Sequence, residues 1–111
     1  MENKTKISSR FEDSIEILRD LIKIESPYFH EDKIMEHISN WMTKAGIPNY
    51  IQEYHEKKVT NFKGKNVISV LSGGNDGPTV YLNGHLDTVM LCSGWKRDPF
   101  GGEIEDGKIY G

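Results

Sequence analysis

Cysteine is almost missing from this chain, with Cys92 standing alone. A single thiol has no internal partner, so no disulfide staples the fold, and the usage fits a reducing, cytoplasmic compartment. An excess of positive charge is missing as well. The 14 Lys and Arg against 17 Asp and Glu leave a net charge of −3 with both signs scattered, which gives nucleic acid no electrostatic footprint. No apolar run approaches the roughly 20 residues of a membrane span. The lead Met1-Glu2-Asn3-Lys4-Thr5-Lys6 lacks the apolar stretch of a signal peptide, so the sequon Asn3-Lys4-Thr5 carries no expectation of glycosylation. A phosphate cradle is lacking too: Gly73-Gly74-Asn75-Asp76-Gly77-Pro78 is followed by neither Lys-Ser/Thr nor a helix signal, and reads as a turn. What these absences leave is a soluble, cytoplasmic chain of at most one domain in 111 residues, expected to bury roughly two-thirds of its unfolded surface.

Within those bounds the periodicities are clear. Ser9-Arg10-Phe11-Glu12 has the pattern of a capping box, Ser9 at the N-cap and Glu12 three residues on. Phe11, Ile15, Leu18 and Ile22, flanked by Ile17, Leu21 and Ile24, then keep a wide helical stripe. The expected helix covers about 9–25 and is ended by Ser26-Pro27. A second helix is expected over about 31–45, with Ile34, Ile38, Trp41, Met42 and Ala45 facing a core and Gly46 as its left-handed cap. His37 reads as a surface passenger. After Pro48 the period shortens: 50–56 reads as an edge-like strand, 65–71 as a better one, and 79–84 as a third. Asp106-Gly107 between Gly102-Glu103-Ile104-Glu105 and Lys108-Ile109-Tyr110 is the dipeptide of a type I′ hairpin. The order ααβββ and then a hairpin implies an α/β fold, a mixed sheet with helices against one face. Ending on a hairpin arm leaves a sheet edge uncovered, as at the front of a larger domain.

The residues that carry chemistry are His85 and Asp87, after the apolar run Pro78-Thr79-Val80-Tyr81-Leu82-Asn83-Gly84. On an extended segment, side chains two apart share a face. The pair would therefore sit together at a strand's C-terminal end, where open α/β sheets place their sites. Gly84 lets the backbone turn and a ligand approach. From spacing and context alone, a metal or catalytic role stands level with a hydrogen-bonded loop histidine. A second copy of the pattern, His30-Glu31-Asp32, follows Ser26-Pro27 and reads as the exposed, acidic first turn of a helix. Cys92, after Val89-Met90-Leu91, reads as a small packed side chain.

Gly84-His85-Leu86-Asp87-Thr88-Val89, followed by Trp95, Asp98-Pro99-Phe100 and Glu105-Asp106-Gly107-Lys108-Ile109-Tyr110-Gly111, resembles the di-zinc aminoacylase and carboxypeptidase family. Its members include acetylornithine deacetylase, succinyl-diaminopimelate desuccinylase, aminoacylases and glutamate-releasing carboxypeptidases. The resemblance extends back through Lys65-Asn66-Val67-Ile68 and covers nearly all of residues 10–111. It implies that 1–111 is an N-terminal fragment of a mixed-sheet, helix-covered zinc-exopeptidase-like catalytic domain, without the inserted lid or dimerisation domain. The implied activity is metal-dependent hydrolysis of an amide in N-acyl amino acids or small peptides, with two Zn²⁺ per complete site and Co²⁺ as a substitute. His85 matches the first zinc-ligand histidine. Asp87 matches the catalytic acidic residue that steadies ligand imidazoles. Trp95, Pro99, Phe100 and Gly107 match positions that shape the loop and hairpin after the site. The remaining ligands and the glutamate general base match nothing in these residues, so the resemblance implies an inactive front segment. It leaves room for a homodimer in the complete protein. The competing expectation is a non-catalytic remnant or interaction module that keeps this part of the fold.

Overall fold

A computed structural model describes the backbone of residues 2–111 and the side chains from Arg10 onward. The elements in chain order are α1 (Glu2–Ile22), α2 (Asp32–Lys44), β1 (Tyr50–Glu56), β2 (Phe62–Ile68), β3 (Glu103–Glu105) and β4 (Lys108–Tyr110). The chain divides into two compact units, one holding α1 and Leu91–Gly111, the other Ser26–Met90.

In the first unit, α1 starts well before the expected capping box. Ser9 lies inside the helix, so it is not the N-cap, and the helix stops at Ile22 rather than near Glu25. Helix propagation adds one hydrogen bond per residue, so the helix can extend N-terminal to the capping-box pattern. The stripe is split by exposure: Ile15, Ile17, Leu21 and Ile22 are half-buried, whereas Phe11 is 66% exposed. The Arg19 guanidinium Nε donates to the Gly102 carbonyl at 2.8 Å. The hairpin β3–β4 forms as expected, with Glu103 opposite Tyr110 and Ile104 opposite Ile109. Asp106 and Gly107 both take positive φ, 50° and 72°, as a type I′ turn requires. Arg97 spans the hairpin's acidic edge, donating to Glu103 at 2.7 Å and to Glu105, with its guanidinium 4.0 Å from the Tyr110 ring centre. The hydrogen bond to Glu105, ahead of the neighbouring charges, raises the Arg97 pKa above its ordinary value.

In the second unit, α2 occupies the expected span, and its end is a Schellman motif. Ile47 N–H bonds Met42 O at 2.8 Å and Gly46 N–H bonds Thr43 O at 3.1 Å, with Gly46 at φ +74°. Ile34 is 3% exposed and is the buried apolar side chain of the described residues. Ile38 and Met42 are half-buried beside it, but Trp41 and Ala45, expected on the same face, are exposed. Trp41 is 37% exposed, and Ala45 follows the last residue of the helix.

β1 and β2 pair antiparallel, Tyr50 opposite Ile68 through Glu56 opposite Phe62. β1 matches its expected span, while β2 begins three residues earlier than expected and ends at Ile68, because a hairpin's register is set by its turn. Gly64 is buried directly across from Tyr54, whose ring lies over it so closely that a Cβ there would stand 2.5 Å from the phenol oxygen. An aromatic ring over a cross-strand glycine covers the backbone that glycine leaves bare.

The expected third strand, 79–84, is not a strand, and among the described residues the mixed sheet is replaced by two separate two-stranded antiparallel sheets. Val80, Tyr81 and Leu82 are 79%, 89% and 95% exposed. β-propensity describes a residue's fit to a pleated, half-covered surface; without a neighbouring strand the same residues make no ladder. No described helix is long and apolar enough to cross a membrane.

Candidate functional site

His85 and Asp87 are positioned by a residue far away in sequence. Ser26 is 1% exposed, the most deeply buried polar residue described. Its hydroxyl donates to the Leu86 carbonyl at 2.9 Å, and its own carbonyl accepts the Thr88 N–H at 2.9 Å. Pro27 and Thr88 form an isolated parallel bridge. A residue before proline is confined to extended backbone, so Ser26 presents its hydroxyl and carbonyl in one fixed direction. The backbone is therefore held on both sides of Asp87. Immediately after this anchor, His30 N–H closes a turn onto Pro27 O at 2.8 Å. That turn places Phe29 at φ +72°, a conformation that costs a non-glycine residue roughly 1–3 kcal/mol. Its ring lies tilted at 43° with its centre 4.0 Å from that of Tyr28, and edge-on to Phe62 at 4.8 Å, contacts that offset the strain.

Next to this anchored stretch, His85 Nδ1 lies 3.1 Å from Asp87 Oδ1 and 3.1 Å from the Asp87 carbonyl oxygen. Both acceptors face the same ring nitrogen, which selects the tautomer with the proton on Nδ1 and leaves Nε2 as a lone-pair donor. The His85 side chain is 83% exposed and that of Asp87 36%. The pair thus stays together as the spacing implied, but on an irregular segment rather than at a strand end. A carboxylate on the far nitrogen of an imidazole is the arrangement that orients a metal-ligating histidine; it also serves an exposed loop histidine whose one polar need is met.

The other candidates do not join them. His30 follows the Pro27 turn, His37 lies on α2, and His55 on β1 bonds Asn61 at 2.7 Å. His37 is half-buried, with Nε2 enclosed and without a hydrogen-bond partner, so it is not the surface passenger its position suggested. Glu31 takes the N-cap place of α2 without a capping side-chain bond. Asp32 and Glu36 instead bracket Lys65 at 3.5 and 3.2 Å, and the Glu36 hydrogen bond raises the Lys65 pKa. Cys92 is exposed rather than packed. No group of three His, Cys, Asp or Glu able to hold a metal occurs among the described residues. A four-ligand zinc site therefore does not fit these residues taken alone. The open concavity of about 440 Å³ in the second unit lies on the β1–β2 hairpin, lined by Glu53, His55, Lys63 and Lys65, and includes neither His85 nor Asp87.

Downstream, Asp98 accepts the Phe100 N–H at 2.9 Å on its side chain and the Gly101 N–H at 3.1 Å on its carbonyl. Pro99 at the second position of that turn is pre-set for it. The resemblance carried by Asp98-Pro99-Phe100 implies a shaped loop here, whereas Ser26 reads in the sequence only as part of a helix stop.

The chain is 30% identical over 99 residues to a succinyl-diaminopimelate desuccinylase of Orientia tsutsugamushi, a match covering 87% of this chain and 24% of that protein. It is 33% identical over 101 residues to the enzyme of that name from a Wolbachia pipientis of Culex pipiens (89% and 23%). With the one from Rhodospirillum centenum it shares 30% over 104 residues (89% and 25%). The chain thus spans about a quarter of the length of these relatives. No family model matches it, and no solved structure does.

Proposed function

On the premise that this chain belongs, as an N-terminal segment, to the aminoacylase family of the desuccinylases, we propose that it is part of a hydrolase that cleaves an acyl–amine amide. The substrate class is an N-acyl amino acid or small peptide carrying a carboxylate, with an N-succinyl amino acid the first to test, given the names of the relatives. The observation that supports this most is the His85–Asp87 pair, Nδ1 to Oδ1 3.1 Å, with the Asp87 backbone held on both sides. His85 would contribute one Zn²⁺ ligand through Nε2, and Asp87 would hold the ring and its tautomer from the far side. A zinc centre in such a hydrolase supplies a nucleophilic water and a Lewis acid for the carbonyl. The described residues offer one imidazole toward it, so residues 1–111 by themselves should neither retain zinc tightly nor turn over substrate.

Zinc content and turnover of N-succinyl and N-acetyl amino acids test this, in the chain itself and in a complete enzyme that contains it. In the complete enzyme, His85→Ala should lose zinc. Asp87→Ala should keep most of the metal and lose turnover by roughly 10- to 100-fold, the usual cost of removing a group that orients a ligand. Equal zinc in wild type and His85→Ala would overturn the ligand assignment. The competing reading, an interaction module, is favoured if no complete enzyme carrying this segment hydrolyses any member of the panel with metal present.

A further inference from the structure

We infer that Ser26 is the positioning residue for the His85–Asp87 pair, acting across 60 residues of sequence through the backbone on either side of Asp87. The inference deepens the reading above and rests on it for its functional meaning, although its geometry stands independently. Three observations converge. Ser26 is the largest fully buried side chain described, at 1% exposure, although serine is ordinarily a surface residue. A buried hydroxyl is retained where it has a bond to make, and this one donates to Leu86 O at 2.9 Å. The same residue's carbonyl takes the Thr88 N–H at 2.9 Å. Carbonyl 86 and amide 88 flank Asp87, so a single residue restrains the rotations about the Asp87 backbone that aim its carboxylate.

The chemical consequence lies on the imidazole. With Asp87 aimed, its carboxylate Oδ1 and its backbone carbonyl oxygen each lie 3.1 Å from Nδ1. The proton is thereby kept on Nδ1, and Nε2 stays free to bind. Without the Ser26 hydroxyl the Asp87 backbone gains freedom, and His85, 83% exposed, relaxes toward the tautomer mixture of a free histidine. Residues 79–87 belong to no strand, so no sheet ladder holds the 85–87 segment.

Ser26→Ala tests this by removing one oxygen and no backbone group. Two signals are read on the 111-residue chain: hydrogen exchange of the Thr88 amide, and the ring nitrogen shifts of His85 at a fixed pH above imidazole protonation. Thr88 exchange should accelerate about 5- to 10-fold, the factor expected from one net hydrogen bond. The His85 Nδ1 and Nε2 shifts should move toward free-histidine values, while the amides of α2 keep their wild-type exchange. Unchanged His85 shifts would overturn the inference, and so would equal acceleration throughout α2, which would make Ser26 a general packing residue. Neither signal depends on turnover. A failed hydrolase reading, seen as zinc retained in His85→Ala, is therefore distinguishable from a failed assignment of Ser26.

Discussion

Truncating Ile34 and Leu82 to alanine removes the same three carbons from two places that hydropathy alone would treat alike. Ile34 is 3% exposed on α2 and Leu82 is 95% exposed on the unpaired run after Pro78. At about 0.8 kcal/mol per buried methylene or methyl, the transfer loss at Ile34 comes to roughly 2.4 kcal/mol. Incomplete collapse around the vacated volume raises this to about 2.5–4 kcal/mol. For Ile34→Val, which removes one carbon, the expected cost is about 0.5–1.5 kcal/mol. Leu82→Ala should stay within roughly 0.5 kcal/mol of wild type, as surface substitutions do. Urea unfolding followed by helix ellipticity, analysed at constant m-value, measures all three. A cost above about 2 kcal/mol for Leu82→Ala would refute the exposure of residues 79–84 and restore the strand expected there. A cost for Ile34→Ala no larger than that for Leu82→Ala would remove Ile34 from the core.

Glu56 caps the β1–β2 turn, accepting the Thr60 hydroxyl and amide and the Lys58 amide, each at 2.7 Å. The Thr60 hydroxyl bond, followed by the backbone bonds, lowers its pKa from 4.5 to about 2. A depressed folded-state value means that the turn's stabilisation is present above pH 4.5 and is lost as pH falls toward 2; carboxyl titration by NMR should show this midpoint, and a midpoint near 4.5 would refute the cap. Gly46→Ala forces a Cβ onto φ +74° and should cost roughly 1–2 kcal/mol, seen as fraying of the last turn of α2 by hydrogen exchange; an unaltered last turn would contradict the Schellman geometry. Cys92 is exposed, so a thiol reagent should modify it in the native chain at the rate seen in urea, whereas slow native labelling would place it in a packed environment.

What sequence made legible was local. The extent of α2, the Gly46 cap, β1 and the Asp106-Gly107 turn depend on contacts within a few residues, and each was read at or near its observed bounds. The His85–Asp87 spacing was legible for the same reason, since two residues two apart on extended backbone face alike. The start of α1 was misread because a capping-box pattern marks a favourable beginning, not an obligatory one. Trp41 and Ala45 keep the stripe's spacing yet are exposed, because periodicity gives a stripe its direction and not which of its members a neighbouring element covers.

By itself, then, the sequence determined the elements closed by short-range hydrogen bonds and the pairing of His85 with Asp87. Tertiary structure decided which apolar residues are covered and what holds the site segment. A strand is completed only by a neighbour's donors and acceptors, so residues 79–84 carry strand propensity without forming one. Ser26 reads as a helix stop in sequence and becomes an anchor only when folding brings its hydroxyl and carbonyl to Leu86 and Thr88. A hydrogen bond needs its two atoms within about 3 Å, and no pattern along the chain states which residues 60 apart will meet.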